Sequence, residues 1–142
     1  MPHVVIDAEI DLRAYAEQHV PLCVRAERDI LRTEQLYLER AGRAVLIQAV
    51  AIEAGRTQTF YVKIAAHDRG SVSVRVDPLT KVERSEGVKR LVAAIGADLL
   101  ARNPGARGRT TNLVLPCSDA LRRASTRFGW RRPWPTRHGS RR

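Results

Sequence analysis

Ala44-Val-Leu-Ile-Gln-Ala-Val-Ala-Ile-Glu53, Ala54-Gly55-Arg56, Thr59-Phe-Tyr-Val-Lys-Ile-Ala-Ala-His67, Asp68-Arg69-Gly70, Ser71-Val-Ser-Val-Arg-Val-Asp77: this stretch decides the fold. Residues 44–53 are dense in aliphatic and β-branched side chains and stop at a glycine-bearing break, the pattern of a strand leading into a hairpin turn. Residues 59–67 put Phe60, Val62 and Ile64 on one face and Tyr61, Lys63 and Ala65 on the other. In residues 71–77, Val72, Val74 and Val76 alternate with Ser73, Arg75 and Asp77, so one side meets a core and the other meets water. Three such segments joined by short turns predict a three-stranded antiparallel meander with one face buried.

Pro78 ends the third strand, and Thr80-Lys81-Val82-Glu83 has the spacing of a capping box. Beyond it Val88, Leu91, Val92, Ile95 and Leu99 recur at three- and four-residue steps, one apolar stripe of a helix that Asn103-Pro104-Gly105 stops. Upstream, His3–Ile10 reads as a first strand. Residues 12–40 are rich in Ala, Leu, Glu and Arg and read as two or three helices broken by Pro21, with Thr33 capping the last. Downstream, Thr111–Leu115 reads as a fifth strand. Ser118 caps a short last helix closed by Gly129, with Ala120, Leu121, Ala124 and Phe128 facing inward.

The expectation is an α/β chain of the α+β type: a mostly antiparallel sheet with helices on its faces. Residues 1–130 form a single globular domain, and residues 131–142 a basic, flexible C-terminal tail.

The 142 residues suit one core. Charge is distributed unevenly. The chain carries 25 Lys and Arg against 15 Asp and Glu, but residues 1–101 hold 14 of each sign, leaving 11 Arg and the single acid Asp119 for residues 102–142. No window nears the roughly 18 apolar residues of a membrane span. The start lacks a basic, then apolar, secretory leader, so a cytoplasmic location is expected. Cys23 and Cys117 are too few for a disulfide framework. With His3, His19, His67 and His138 scattered, no metal-ligand set forms.

The order strand, helices, meander, long helix, strand, short helix resembles the GNAT family of N-acetyltransferases. In that family a strand ends in Val-x-Pro and the following helix opens with Arg or Gln-x-x-Gly-x-Gly or Ala. Here Val76-Asp77-Pro78 precedes Arg84-Ser85-Glu86-Gly87-Val88-Lys89, with Lys89 at the second small position. Ser118 through Phe128-Gly129 looks like the family's last helix, and its tyrosine acid aligns with Ser125. The resemblance implies acyl-CoA as cofactor, its pyrophosphate on bare amides around Val76, Arg84, Gly87 and Lys89, and acyl transfer to an amine. Glu53, at a strand end, is a candidate base by residue type alone.

Two further readings stand beside it. Arg122, Arg123, Arg127, Trp130, Arg131, Arg132 and Trp134 combine guanidinium groups with indole platforms, the chemistry of a nucleic-acid or other polyanion partner. Residues 44–102 also resemble a double-stranded RNA-binding domain, with Glu83 and Glu86 where that family clusters lysines. Finally, Pro2-His3-Val4-Val5-Ile6 with Arg13, Arg43 and Gly55 resembles a 5-carboxymethyl-2-hydroxymuconate isomerase of the tautomerase superfamily, which implies Pro2 as a base and arginines holding carboxylates.

Overall fold

A computed structural model describes residues 1–116. The chain runs β1 (His3–Asp7), α1 (Leu12–Gln18), β2 (Cys23–Ala26), β3 (Asp29–Leu38), β4 (Ala44–Glu53), β5 (Arg56–His67), β6 (Ser71–Val76), α2 (Glu86–Arg102) and β7 (Arg107–Thr111). All seven strands join one sheet in the order β2-β3-β4-β5-β6-β1-β7, and every pairing is antiparallel. This is an α+β chain with a mostly antiparallel sheet.

The three expected strands are β4, β5 and β6, but they belong to a longer run, because β2 and β3 extend it to five consecutive strands. At the β4–β5 turn Glu53 faces Arg56, and Ala54 and Gly55 take φ of 49° and 78°. Positive φ at both central positions matches the right-handed twist of a two-residue hairpin.

The buried side chains of the strands share one face. Val4 and Ile6, Leu31, Val45, Ile47, Phe60, Val62 and Ile64, and Val72, Val74 and Val76 point to one side. Both helices pack on that side. Gly96 of α2 lies against Val4 of β1, and the Tyr15 hydroxyl of α1 reaches Asp98 of α2. The α2 stripe of Val88, Leu91, Val92, Ile95 and Leu99 is fully buried, each side chain worth roughly 1.5–3 kcal/mol of transfer free energy. Helices were expected on the sheet's faces; the two share one, and among the described residues no helix packs on the other.

Residues 12–40 depart most from expectation. Only Leu12–Gln18 is helical, capped by Asp11, whose carboxylate accepts from the Arg13 and Ala14 amides. After Pro21 the chain turns into the β2–β3 hairpin. Thr33 caps no helix; its Oγ1 accepts from the Leu22 amide at 2.7 Å, pinning the start of the hairpin. A register shift between Thr33 and Leu36 interrupts the two-residue alternation, so Leu31, Leu36 and Leu38 never show the even spacing that marks a strand.

The start of α2 also moves. Thr80 donates its amide to Asp77 in a turn rather than opening a helix, and Ser85 is the N-cap, its hydroxyl accepting from the Val88 amide. The first strand ends at Asp7 and the last strand is Arg107–Thr111, not residues 111–115. The expected helix at 118–129 and the tail at 131–142 lie outside the described residues.

Candidate functional site

Val76 ends β6 with its side chain buried in the core, so it lines no cofactor surface. Ten residues later α2 begins, where backbone amides lack intrahelical partners and the helix dipole favours an anion. The anion there comes from the chain itself. Glu53, the last residue of β4, accepts the Gly87 amide on Oε1 at 2.6 Å and the Ser85 hydroxyl on Oε2. Ser85 Oγ in turn accepts from the Val88 amide at 3.3 Å and from Gln58 Nε2 at 3.4 Å, while Gln58 Oε1 accepts from the Glu83 amide at 2.9 Å.

Gly87 is what allows this. A Cβ at that position would sit 2.7 Å from both Glu53 carboxylate oxygens. Glu53 was singled out by type as a base; here both of its oxygens are engaged in tying β4 to the helix. An acyl-CoA pyrophosphate would have to displace this carboxylate to reach the Gly87 amide. Arg84 is exposed just before the cap, and Lys89 donates to Glu86 at 2.7 Å, which draws the Glu86 carboxyl below its ordinary pKa. Glu53, Ala54, Arg56, Thr57, Gln58, Glu83 and Ser85 line an open cleft of about 390 Å³, and an exposed Arg56–Glu83 pair at 3.7 Å crosses its rim.

The residues of the isomerase resemblance each serve the fold. Pro2 is buried at the start of β1. Arg13 donates to the Arg40 carbonyl at 2.8 Å, Arg43 pairs with Asp68, and Gly55 serves the β4–β5 turn.

A second polar cluster lies where α1 meets α2. Asp98 accepts from the Tyr15 hydroxyl at 3.2 Å and from Arg102 Nε at 3.1 Å, and Arg102 also donates to the Gln18 carbonyl at 2.9 Å. Burial and the neighbouring Asp98 carboxylate push the Tyr15 phenol far above its usual range. Beside it, His19 has both ring nitrogens buried and, among the described residues, without a hydrogen-bond partner, and burial lowers its pKa below the ordinary 6.5. These groups knit the helices together.

The bare sheet face carries a different arrangement. Register places Tyr37 opposite Leu46, Leu46 opposite Lys63, Lys63 opposite Arg75, and Arg75 opposite His3, one row across β3, β4, β5, β6 and β1. Tyr61, next but one to Lys63, meets Tyr37 with ring centroids 6.4 Å apart. Lys63 and Arg75 oppose each other directly, and neither forms an ion pair among the described residues. Like charges in facing positions destabilise a sheet. Arg107 faces Asp7 on the same side of the sheet, and Arg109 reaches the Asp7 carboxylate at 3.6 Å. Sequence alternation already sent Lys63 and Arg75 to solvent. It did not find Tyr37, which lay in a segment read as helical.

Arg122, Arg123, Arg127, Trp130, Arg131, Arg132 and Trp134 lie outside the described residues. Among the described residues no three His, Cys, Asp or Glu side chains come together as metal ligands, and no helix is long and apolar enough to cross a membrane.

Fold and sites together define an α+β protein whose antiparallel sheet holds two helices on one face and presents a basic, tyrosine-bearing row on the other. No family model, no curated protein and no solved structure matches the chain.

Proposed function

We propose that this protein is a nucleic-acid-binding module. The observation that carries the reading is the Lys63–Arg75 opposition on an open sheet face, in which neither cation has an ion pair among the described residues. A polyanion turns that repulsive pair into a favourable one, since each cation then faces a phosphate rather than only its neighbour. The charge of the rest of the chain points the same way. Beyond residue 116 the sequence adds eight arginines against the one acid Asp119, and the described residues end five positions after β7, the edge strand that bears exposed Arg107 and Arg109.

Phosphate binding displaces counterions, so the association constant falls with salt. Fluorescence anisotropy of a labelled 20-nucleotide probe with the full chain, between 50 and 300 mM NaCl, measures the slope. Affinity steeply weakened by salt is expected, with a shallower slope when Arg131 and Arg132 are changed to Gln. No binding at 50 mM salt overturns the reading.

A further inference from the structure

We infer that the bare sheet face is a single-strand site, on which bases stack against Tyr37 and Tyr61 while Lys63 and Arg75 hold the flanking phosphates. The inference rests on the nucleic-acid reading above and adds to it the form of the ligand and the residues that receive it.

Three observations carry it. First, the row is open: Tyr37 is 48% exposed, Arg75 is exposed, and Tyr61 and Lys63 are half-buried. Second, the two aromatic rings are neighbours, tilted 56° to each other, so they offer adjoining platforms rather than a closed stack. Third, the cations sit beside the tyrosines: Lys63 is two residues from Tyr61 on the same face of β5, and Arg75 is one strand farther. Aromatic rings interleaved with cations on a sheet recognise unstacked bases and their backbone, since every base has a π-face and every linkage a charge.

A duplex fits less well. Its bases are stacked within it, so Tyr37 and Tyr61 would meet only a sugar–phosphate edge. Charge complementarity also sets this occupant apart from a second copy of the chain, which would bring Lys63 and Arg75 against their own kind.

The test uses the full chain with labelled dT12, rU12 and a 12-base-pair duplex. Both single strands are expected to bind more tightly than the duplex, and their ratio shows whether the 2′-hydroxyl is read. Tyr61→Ala is expected to weaken single-strand binding at least fivefold and Tyr61→Phe to restore it, because stacking needs the ring and not the hydroxyl. Lys63→Gln is expected to lower the salt slope on a single strand by about 0.7. The same change is expected to leave the urea midpoint unchanged or raise it, since it relieves a like-charge contact; a merely structural lysine would lower it.

Equal or tighter binding to the duplex, or a Tyr61→Ala protein that binds single strands as the parent does, overturns the single-strand site while the nucleic-acid reading stands. Loss of binding to all three probes overturns both. A dimer by analytical ultracentrifugation that dissociates on Tyr61→Ala assigns the face to a second copy and overturns the inference.

Discussion

Replacing Gly87 with Ala is expected to destabilise the protein, against the usual sign of that change in a helix. Ala gains up to about 1 kcal/mol over Gly in a helix interior. At Gly87, however, the new methyl would lie 2.7 Å from both Glu53 carboxylate oxygens, too close for any Cβ. Because the carboxylate ends a flexible side chain, it moves aside rather than forcing the backbone to shift. The cost is therefore the lost charge-assisted bond from the Gly87 amide, about 1.5–3 kcal/mol, less the propensity gain. The net is about 0.5–2 kcal/mol of destabilisation, or roughly 2–6 °C in Tm for a chain of this size. Changing Glu53 to Ala removes the obstacle, so Gly87→Ala in that background is expected to stabilise. Urea melts of the parent, both single variants and the double variant close the cycle, with an expected coupling of about 1.5–3 kcal/mol. A Gly87→Ala protein more stable than the parent, or a cycle additive to within about 0.5 kcal/mol, refutes the Glu53 latch.

Two further outcomes follow from the same geometry. His19 has a folded-state pKa lowered by burial, so the unfolded chain takes up its proton first as the pH falls. Its contribution is thus fully present above about 6.5 and is lost below that value. Urea midpoints are expected to drop between pH 7.5 and 5.5, and less so for His19→Leu; identical pH profiles for the two proteins would remove His19 from this account. Acetyl-CoA at 1 mM is expected to leave Tm unchanged, because Glu53 already holds the Gly87 amide. A ligand at 100 times its dissociation constant adds about 2.7 kcal/mol, so an upward shift of several degrees would show that the carboxylate yields to a pyrophosphate.

How much of this was legible depends on where side-chain periodicity survives. In β6 the Val72, Val74, Val76 alternation is unbroken, and strand, inward face and outward Arg75 all follow from it. In β3 the shift after Thr33 destroys the alternation, while Glu34, Gln35 and Leu36 carry helical composition, so a strand looks like a helix. β7 is invisible for another reason. Arg-Gly-Arg-Thr-Thr has no apolar residue to reveal its inner face and is a strand only because β1 offers an edge. The site divides in the same way. Lys63 and Arg75 could be sent to solvent one at a time, but their opposition needs the β5–β6 register. Likewise, Glu53 could be noted as a carboxylate at a strand end, whereas its bond to Gly87 spans 34 positions and depends on how α2 lies across the sheet.

The place of β1 between β6 and β7 imposes an order of events on synthesis. Residues 3–7 are made first, yet Ile6 pairs with Val72, 66 positions later, and Val4 also with Thr111. At cellular elongation rates of about 5–20 residues per second, a Val-Val-Ile segment waits roughly 3–13 s before its first partner strand exists. Five strands can zip together behind it, each onto the one just made. β1, made before all of them, joins only once β6 exists, and until then its apolar Val4, Val5 and Ile6 have no partner strand; β7 is added to its far side later still.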